Sequence, residues 1–408
     1  MKNYLFQSLA KIFLPIIIII VTHFVAIKYT NPIFYDSNEY LSIAENLHEN
    51  FEFSVSGINT KDFNNFTGES PTRMRQPFYP IFLSIFYWAF NKNISIVLTI
   101  QLIINLLSFI YFIRIGKLVF GEEFYLKSNY ILASYFPLWM LSASILTETL
   151  FTFLLVISTY YVINALKEEN ILYFIYSGIF LGMSFLTRPI ALFVVAVLGL
   201  FVLTGRYNNF KFSHYLVLLL SFILIITPWV LRNNFVLGDF TPLSSDGGYN
   251  FYSSTLGANE KPWWDDPGFK ECVKDGYYID RNSNEKFTKS AFSNIITDPI
   301  NYFFYGLLRF VTTWTYFPGS RLHQNNLIIF IPFTILQFII LLTAFIGYIK
   351  SKSNKGSEYI LVVVISFSLV LFISYSTSRF LIPIMPFILL LSGQGIKFIF
   401  GYRNGKNC

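Results

Sequence analysis

KIFLPIIIIIVTHFVAIK, residues 11–28, holds sixteen residues free of Asp, Glu, Lys and Arg between two lysines. A helix that crosses a bilayer needs about 20 mostly apolar residues, and no small-residue cleavage site follows this run. It reads as a retained membrane helix and not as a removable leader. The next stretch, FYDSNEYLSIAENL (residues 34–47), is polar and periodic. Asp36 followed three places later by Glu39 predicts a capping box, opening an amphipathic helix along Tyr40, Ile43, Ala44 and Leu47. Whether Asp36 only starts that helix or also does chemistry depends on which side of the membrane it faces.

Composition extends the first reading to the whole chain. Of 408 residues, 54% are hydrophobic and 13% charged, against roughly 25% charged in an average soluble protein. The mean hydropathy is +0.52. An integral membrane protein is expected, in the plasma membrane of a bacterial cell. The net charge of +7 is spread over short loops as orientation signals would be. With no basic stripe interleaved with aromatics, nucleic acid is not an expected partner. Two cysteines, Cys272 and Cys408, make no disulfide framework.

Ten stretches qualify as spans, or nearly so: 12–28, 94–113, 128–145, 147–165, 171–187, 189–205, 213–231, 326–349, 358–376 and 380–400. An eleventh, Phe78–Phe90, is apolar for only 13 residues and suits an interfacial helix. With ten spans and an inside N-terminus, every short basic loop falls inside, as the positive-inside rule requires. Two large loops, 29–93 and 232–325, then face out. The chain divides into a membrane module at 1–231, an outer loop region at 232–325, and C-terminal helices at 326–408.

The polar residues with most to say share that outer face: Asp36, Arg73, Arg75, Glu148, Arg188, Arg232, Arg309, Arg321, His323 and Arg379. Charges at a membrane boundary are functional candidates by default, although each has a plainer reading. Glu148 would favour a helix N-terminus through the macrodipole. Arg188 would serve as a snorkelling anchor, and His323 as an ordinary loop histidine. Four arginines at the outer edge, Arg73, Arg75, Arg232 and Arg379, match an anionic headgroup or a phosphate-bearing ligand. No GxxxxGK[ST], HExxH, GxSxG or GxGxxG is found. ATP-driven transport, zinc proteolysis, serine hydrolysis and dinucleotide chemistry therefore lack their usual signatures.

Six segments in order resemble the integral-membrane GT-C glycosyltransferases with polyprenyl-phosphate sugar donors, the group of protein O-mannosyltransferases and aminoarabinose transferases. They are FYDSNEYLSIAENL, RQPFYPIFLSIFYWAF, LTETLFTFLL, GMSFLTRPIAL, TPWVLRNNFVLGDFTPLSSDGGYNF and SRFLIPIMPFILLLSG. The resemblance implies an all-α membrane bundle of 10–11 transmembrane helices, with juxtamembrane helices in a large first outer loop and a second large outer loop. It also implies a catalytic carboxylate at Asp36, with Glu148 serving the acceptor or a metal. One departure stands out. The aminoarabinose transferases have a lysine where Gln76 stands here, so carrier-phosphate binding passes to Arg75 or Arg379. No cofactor is specified, although Asp36, Glu148 and His323 are the ligand set available to a divalent metal.

The resulting expectation is transfer of one sugar from a polyprenyl-phosphate carrier to a lipid, glycan or protein acceptor, with Asp36 as general base. Two rivals share the carrier: an O-antigen-type polymerase or ligase, and a transporter or flippase of an anionic lipid-linked glycan. Transporters commonly show internal repeats and midplane ionisable residues, and neither is evident here.

Overall fold

The computed structural model describes residues 2–55, 71–205, 211–257, 281–315, 327–375 and 377–401, and among them every regular element is helical. His323, Arg321, Cys272 and Cys408 lie outside the described residues. Six helices are long and apolar enough to cross a membrane: Ile94–Phe120, Glu148–Glu168, Phe212–Leu237, Ile331–Ser351, Lys355–Ile373 and Ser378–Phe400. Four shorter apolar helices accompany them: Phe13–Tyr29, Phe78–Ala89, Ile171–Phe185 and Ala191–Leu203. The chain is a multi-pass membrane protein with an all-helical bundle, and the segment set aside as too short, Phe78–Ala89, is a helix of 12 residues.

Small residues bring the helices close enough to pack without a hydrophobic drive, which lipid cannot supply. Gly347 and Gly395 face each other across the pair Leu327–Ser351 and Met385–Gly401. A Cβ on either would collide with a backbone carbonyl, that of Leu391 or of Thr343. Beside them Thr343 Oγ1 and Ser392 Oγ share a buried hydrogen bond of 2.7 Å.

One expected span is not a single helix. Residues 128–145 break into the end of Glu122–Ser134, a short helix Phe136–Met140, a 3₁₀ turn Leu141–Ala143 and an extended Ser144. Pro137 is the cause, since it has no N–H for the carbonyl of Ala133 and its ring crowds that carbonyl. A mostly apolar, uncharged run hid this break from a reading by hydropathy. Irregular backbone at membrane depth survives only where protein satisfies its polar groups. Here Gln101 Nε2 donates to Ser142 O and Ser144 O at 3.0 and 2.7 Å. Tyr79 in turn donates its hydroxyl to Gln101 Oε1 at 2.9 Å. Trp139 O accepts from Ser142 Oγ at 2.8 Å, and His23 Nδ1 lies 2.8 Å from the same hydroxyl. Three other helices, those of His23, Tyr79 and Gln101, thus hold the break, and it delivers the chain to Glu148 at the head of its helix.

The helix predicted after the first span is present as Tyr35–Asn50, but its cap is different. Asp36 lies inside the first turn, and Phe34 is the N-cap residue. The reach-back comes from Ser37, whose Oγ accepts from the Phe34 N–H at 2.9 Å and donates to Ile145 O at 2.8 Å. The capping box of Asp36 and Glu39 is therefore corrected. Ser37 stands at the third helical position, where its hydroxyl reaches the Phe34 N–H and also finds a buried carbonyl, so it takes the reach-back role and frees both carboxylates.

Candidate active site

Asp36 and Glu39 both point toward Arg75, which lies in the same first outer loop. Arg75 Nη2 lies 3.3 Å from Asp36 Oδ1, Arg75 Nε 2.5 Å from Glu39 Oε2, and Arg75 Nη1 3.0 Å from Asp246 Oδ2. One planar guanidinium therefore holds three carboxylates through its fork of donors, which a lysine could not do. Ser244 donates to the other oxygen of Asp246 at 2.5 Å, and the Tyr40 ring lies under Arg75 at 5.5 Å.

The second half of the site comes from three other elements. Arg379, on the 3₁₀ turn Ser378–Ile384, places Nη2 2.8 Å from Asp36 Oδ2 and Nε 2.9 Å from Glu148 Oε1. Arg188, at the hairpin between Ile171–Phe185 and Ala191–Leu203, places Nη1 2.7 Å from the same Glu148 oxygen. These two contacts of Glu148 are ion pairs without hydrogen-bond alignment, and its Oε2 is buried with no hydrogen-bond partner among the described residues. Phe380 lies between the arginines, its ring 4.6 Å from Arg188 and 5.7 Å from Arg379, close enough for cation–π attraction to each.

This arrangement sets the state of Asp36. Burial alone would push its carboxyl up, but the Arg75 and Arg379 guanidiniums outweigh burial and hold it at about 2. The Arg75 guanidinium would itself be pulled down by burial, and Glu39, Tyr40 and Asp36 raise it well above its usual value. Burial also keeps the Tyr40 phenol protonated. At neutral pH the site is an ionised carboxylate clamped by two permanent cations.

Five of the residues singled out from sequence thus come together: Asp36, Arg75, Glu148, Arg188 and Arg379. Two others do not. Arg232 Nη1 donates to Thr72 O at 2.7 Å and its Nη2 to Phe53 O at 3.1 Å. Arg73 Nε pairs with Asp239 at 3.1 Å, and its Nη1 donates to Leu243 O at 3.1 Å. Both stitch the two outer loops together. Gln76, at the position of the expected lysine, does the same by donating to Pro242 O at 3.1 Å. Arg309 reaches the carbonyl of Phe372 at 2.8 Å, at the end of the span Lys355–Ile373. Sequence reading passed over Asp246, visible only as the start of a DGG turn, and treated Tyr40 as an apolar helix position.

A metal was one expectation for Asp36, Glu148 and His323, the last of which lies outside the described residues. Among the described residues no group of three His, Cys, Asp or Glu side chains is placed to hold a metal ion. Asp36 and Glu148 instead converge on one guanidinium.

Residues 72–231 match the family model described as dolichyl-phosphate-mannose-protein mannosyltransferase. No curated protein matches the chain in sequence. Among solved structures, the archaeal oligosaccharyltransferase AglB from Archaeoglobus fulgidus, in complex with an inhibitory peptide and a dolichol-phosphate, aligns at TM-score 0.59 and 16% identity. That alignment covers 100% of this chain and 53% of that one. The apo form of the Archaeoglobus fulgidus oligosaccharyltransferase aligns at the same TM-score and identity, over 97% of this chain and 51% of that one. ArnT from Cupriavidus metallidurans, bound to undecaprenyl phosphate, aligns at TM-score 0.44 and 11% identity over 94% of this chain and 77% of that one. Fold and family model agree with the resemblance of the six sequence segments: the chain shares the helical fold of the oligosaccharyltransferase, and part of it matches the mannosyltransferase model. It spans about half the length of the oligosaccharyltransferase it matches.

Proposed function

We propose that this chain is a membrane glycosyltransferase that moves one sugar from a polyprenyl-phosphate carrier to a lipid, glycan or protein acceptor at the outer side of the plasma membrane. The observation that carries this reading is the clamp on Asp36, a carboxylate held between Arg75 and Arg379 within reach of Glu148 and Arg188. The GT-C fold is shared with a protein solved with a dolichol-phosphate and a peptide, which is consistent with a lipid-phosphate donor here.

The geometry suits an inverting transfer. The acceptor oxygen attacks the anomeric carbon while Asp36 takes its proton. The bond from that carbon to the phosphate oxygen breaks, and the carrier leaves as its phosphate monoester. Charge grows on the leaving phosphate, where arginine donors stabilise it. A phosphate is already a good leaving group, so one base suffices and the paired acid and base of a glycosidase are not needed. The clamp adds a step of logic. In the resting site Asp36 is a weak base because both guanidiniums face it. Donor phosphate competing for Arg75 and Arg379 relaxes that hold, and the carboxylate gains basicity only when the donor is in place.

Asp36→Asn is the direct test, since it keeps the shape and an oxygen for Arg379 but removes the base. Membranes carrying the variant at normal expression should transfer sugar from the lipid-linked donor about 10³-fold more slowly. Unimpaired transfer would remove Asp36 from the chemistry. Mass spectrometry of the wild-type product should show a single added sugar, and a block of several would favour a polymerase or ligase.

A further inference from the structure

Asp36 and Glu148 stand 112 positions apart in the chain and belong to different elements, yet one guanidinium touches both. Arg379 Nη2 lies 2.8 Å from Asp36 Oδ2, and Arg379 Nε lies 2.9 Å from Glu148 Oε1. Its third nitrogen, Nη1, has no partner among the described residues. Two carboxylates converging on one positive centre is the arrangement a hard divalent ion uses, with six to eight oxygens for calcium or near-octahedral ligation for magnesium.

A metal ion does not fit beside this arginine. Guanidiniums already hold both oxygens of Asp36 and Oε1 of Glu148, Glu39 and Asp246 are held by Arg75, and Glu148 Oε2 is the one oxygen of Asp36 and Glu148 left without a partner among the described residues, too few for a hard ion. It would also set a double positive charge against a guanidinium that Phe380 and two carboxylates fix in place. Arginine, by contrast, is charged at any pH the protein meets and presents its donors in one plane.

We propose that Arg379 is itself the cation of this site: its guanidinium bridges Asp36 and Glu148 where a divalent ion would otherwise sit. The unpartnered Nη1 is then the donor left for an oxygen of the leaving phosphate. This last role rests on the transferase reading, whereas the bridge between the two carboxylates does not.

The test therefore uses the purified full chain in detergent and no sugar donor. The wild-type melting temperature should not respond to EDTA, nor to roughly 10 mM Mn²⁺, Mg²⁺ or Zn²⁺, and elemental analysis should find no stoichiometric metal. Arg379→Met vacates the bridge and exposes both carboxylates to each other. It should gain a Mn²⁺-dependent rise of about 2 °C, lost again when Asp36→Asn is added. Arg379→Gln replaces the Met variant if that one does not fold, and the wild-type measurements decide alone if neither does. One equivalent of metal on the wild type, with a melting temperature that falls on chelation, would overturn the proposal. So would a folded Arg379→Met protein indifferent to all three cations. A silent transfer assay would bear on the reaction and not on this result.

Discussion

Arg73 and Arg75 are separated by one residue, and each belongs to a different machine. Arg73, with Arg232, spends its donors mainly on backbone carbonyls of the outer loops, and its one carboxylate partner, Asp239, belongs to the same joint. Arg75, with Arg188 and Arg379, spends its donors on carboxylates of the central cluster. Carbonyl partners are neutral, fixed and already part of the fold, so an arginine on them acts as a cross-brace. Carboxylate partners are charged and can give way to a phosphate, so an arginine on them acts as a switchable clamp. The same residue type at the same edge of the membrane becomes scaffold or site according to what it faces.

Removing the clamp should produce the largest effect. Arg75→Met takes from Glu39, whose side chain is 1% exposed, the guanidinium that balances its buried charge beside Asp36 and Asp246. Breaking a buried pair in this way costs about 3–5 kcal/mol, so a sharp drop in melting temperature is expected. Adding Glu39→Gln should recover part of that loss, because the variants share one interaction; a coupling of about 1–3 kcal/mol is expected. Transfer by the double variant should stay low, since the clamp on Asp36 is still missing. Full transfer by a stable double variant would erase the distinction between the two groups of arginines.

The brace should fail differently. Arg232→Met removes charge-assisted hydrogen bonds to Thr72 O and Phe53 O, each worth about 1.5–3 kcal/mol. Stability should fall by an amount of that order, while kcat/KM per folded molecule stays within about twofold of wild type. A selective loss of kcat with stability intact would move Arg232 into the site.

Much of this was legible in the chain before the structure. Glu148 was conspicuous because nothing else in its stretch is charged, and Arg188 and Arg379 because charges at an outer boundary are rare. The family resemblance fixed attention on Asp36. What stayed hidden is instructive in physical terms. Arg73 and Arg75 have the same side chain and share Met74 as a neighbour, and the tertiary path of residues 238–246 decides which faces loop and which faces site. Asp246 was concealed because Asp before Gly-Gly is also what a turn requires. The capping error had a similar source: Asp36 and Ser37 are both good caps, and the buried carbonyl of Ile145 that favours Ser37 is 108 residues away. The break before Pro137 sits in an apolar run, where hydropathy is blind to whether the backbone is helical.

The smallest effect tests the brace at its limit. Arg73→Lys keeps a positive charge beside Asp239, but a single ammonium cannot reproduce the pair of directed bonds from Nε to Asp239 and from Nη1 to Leu243 O. Lysine can satisfy one of them, and the other carbonyl or carboxylate keeps access to its own loop. The expected loss is about 1 kcal/mol of stability, with transfer unchanged. The companion substitution Arg75→Lys should behave in the opposite sense, since one ammonium cannot span Asp36, Glu39 and Asp246. A transfer assay that ranks Arg73→Lys below Arg75→Lys would mean that the two arginines had been assigned to the wrong machines.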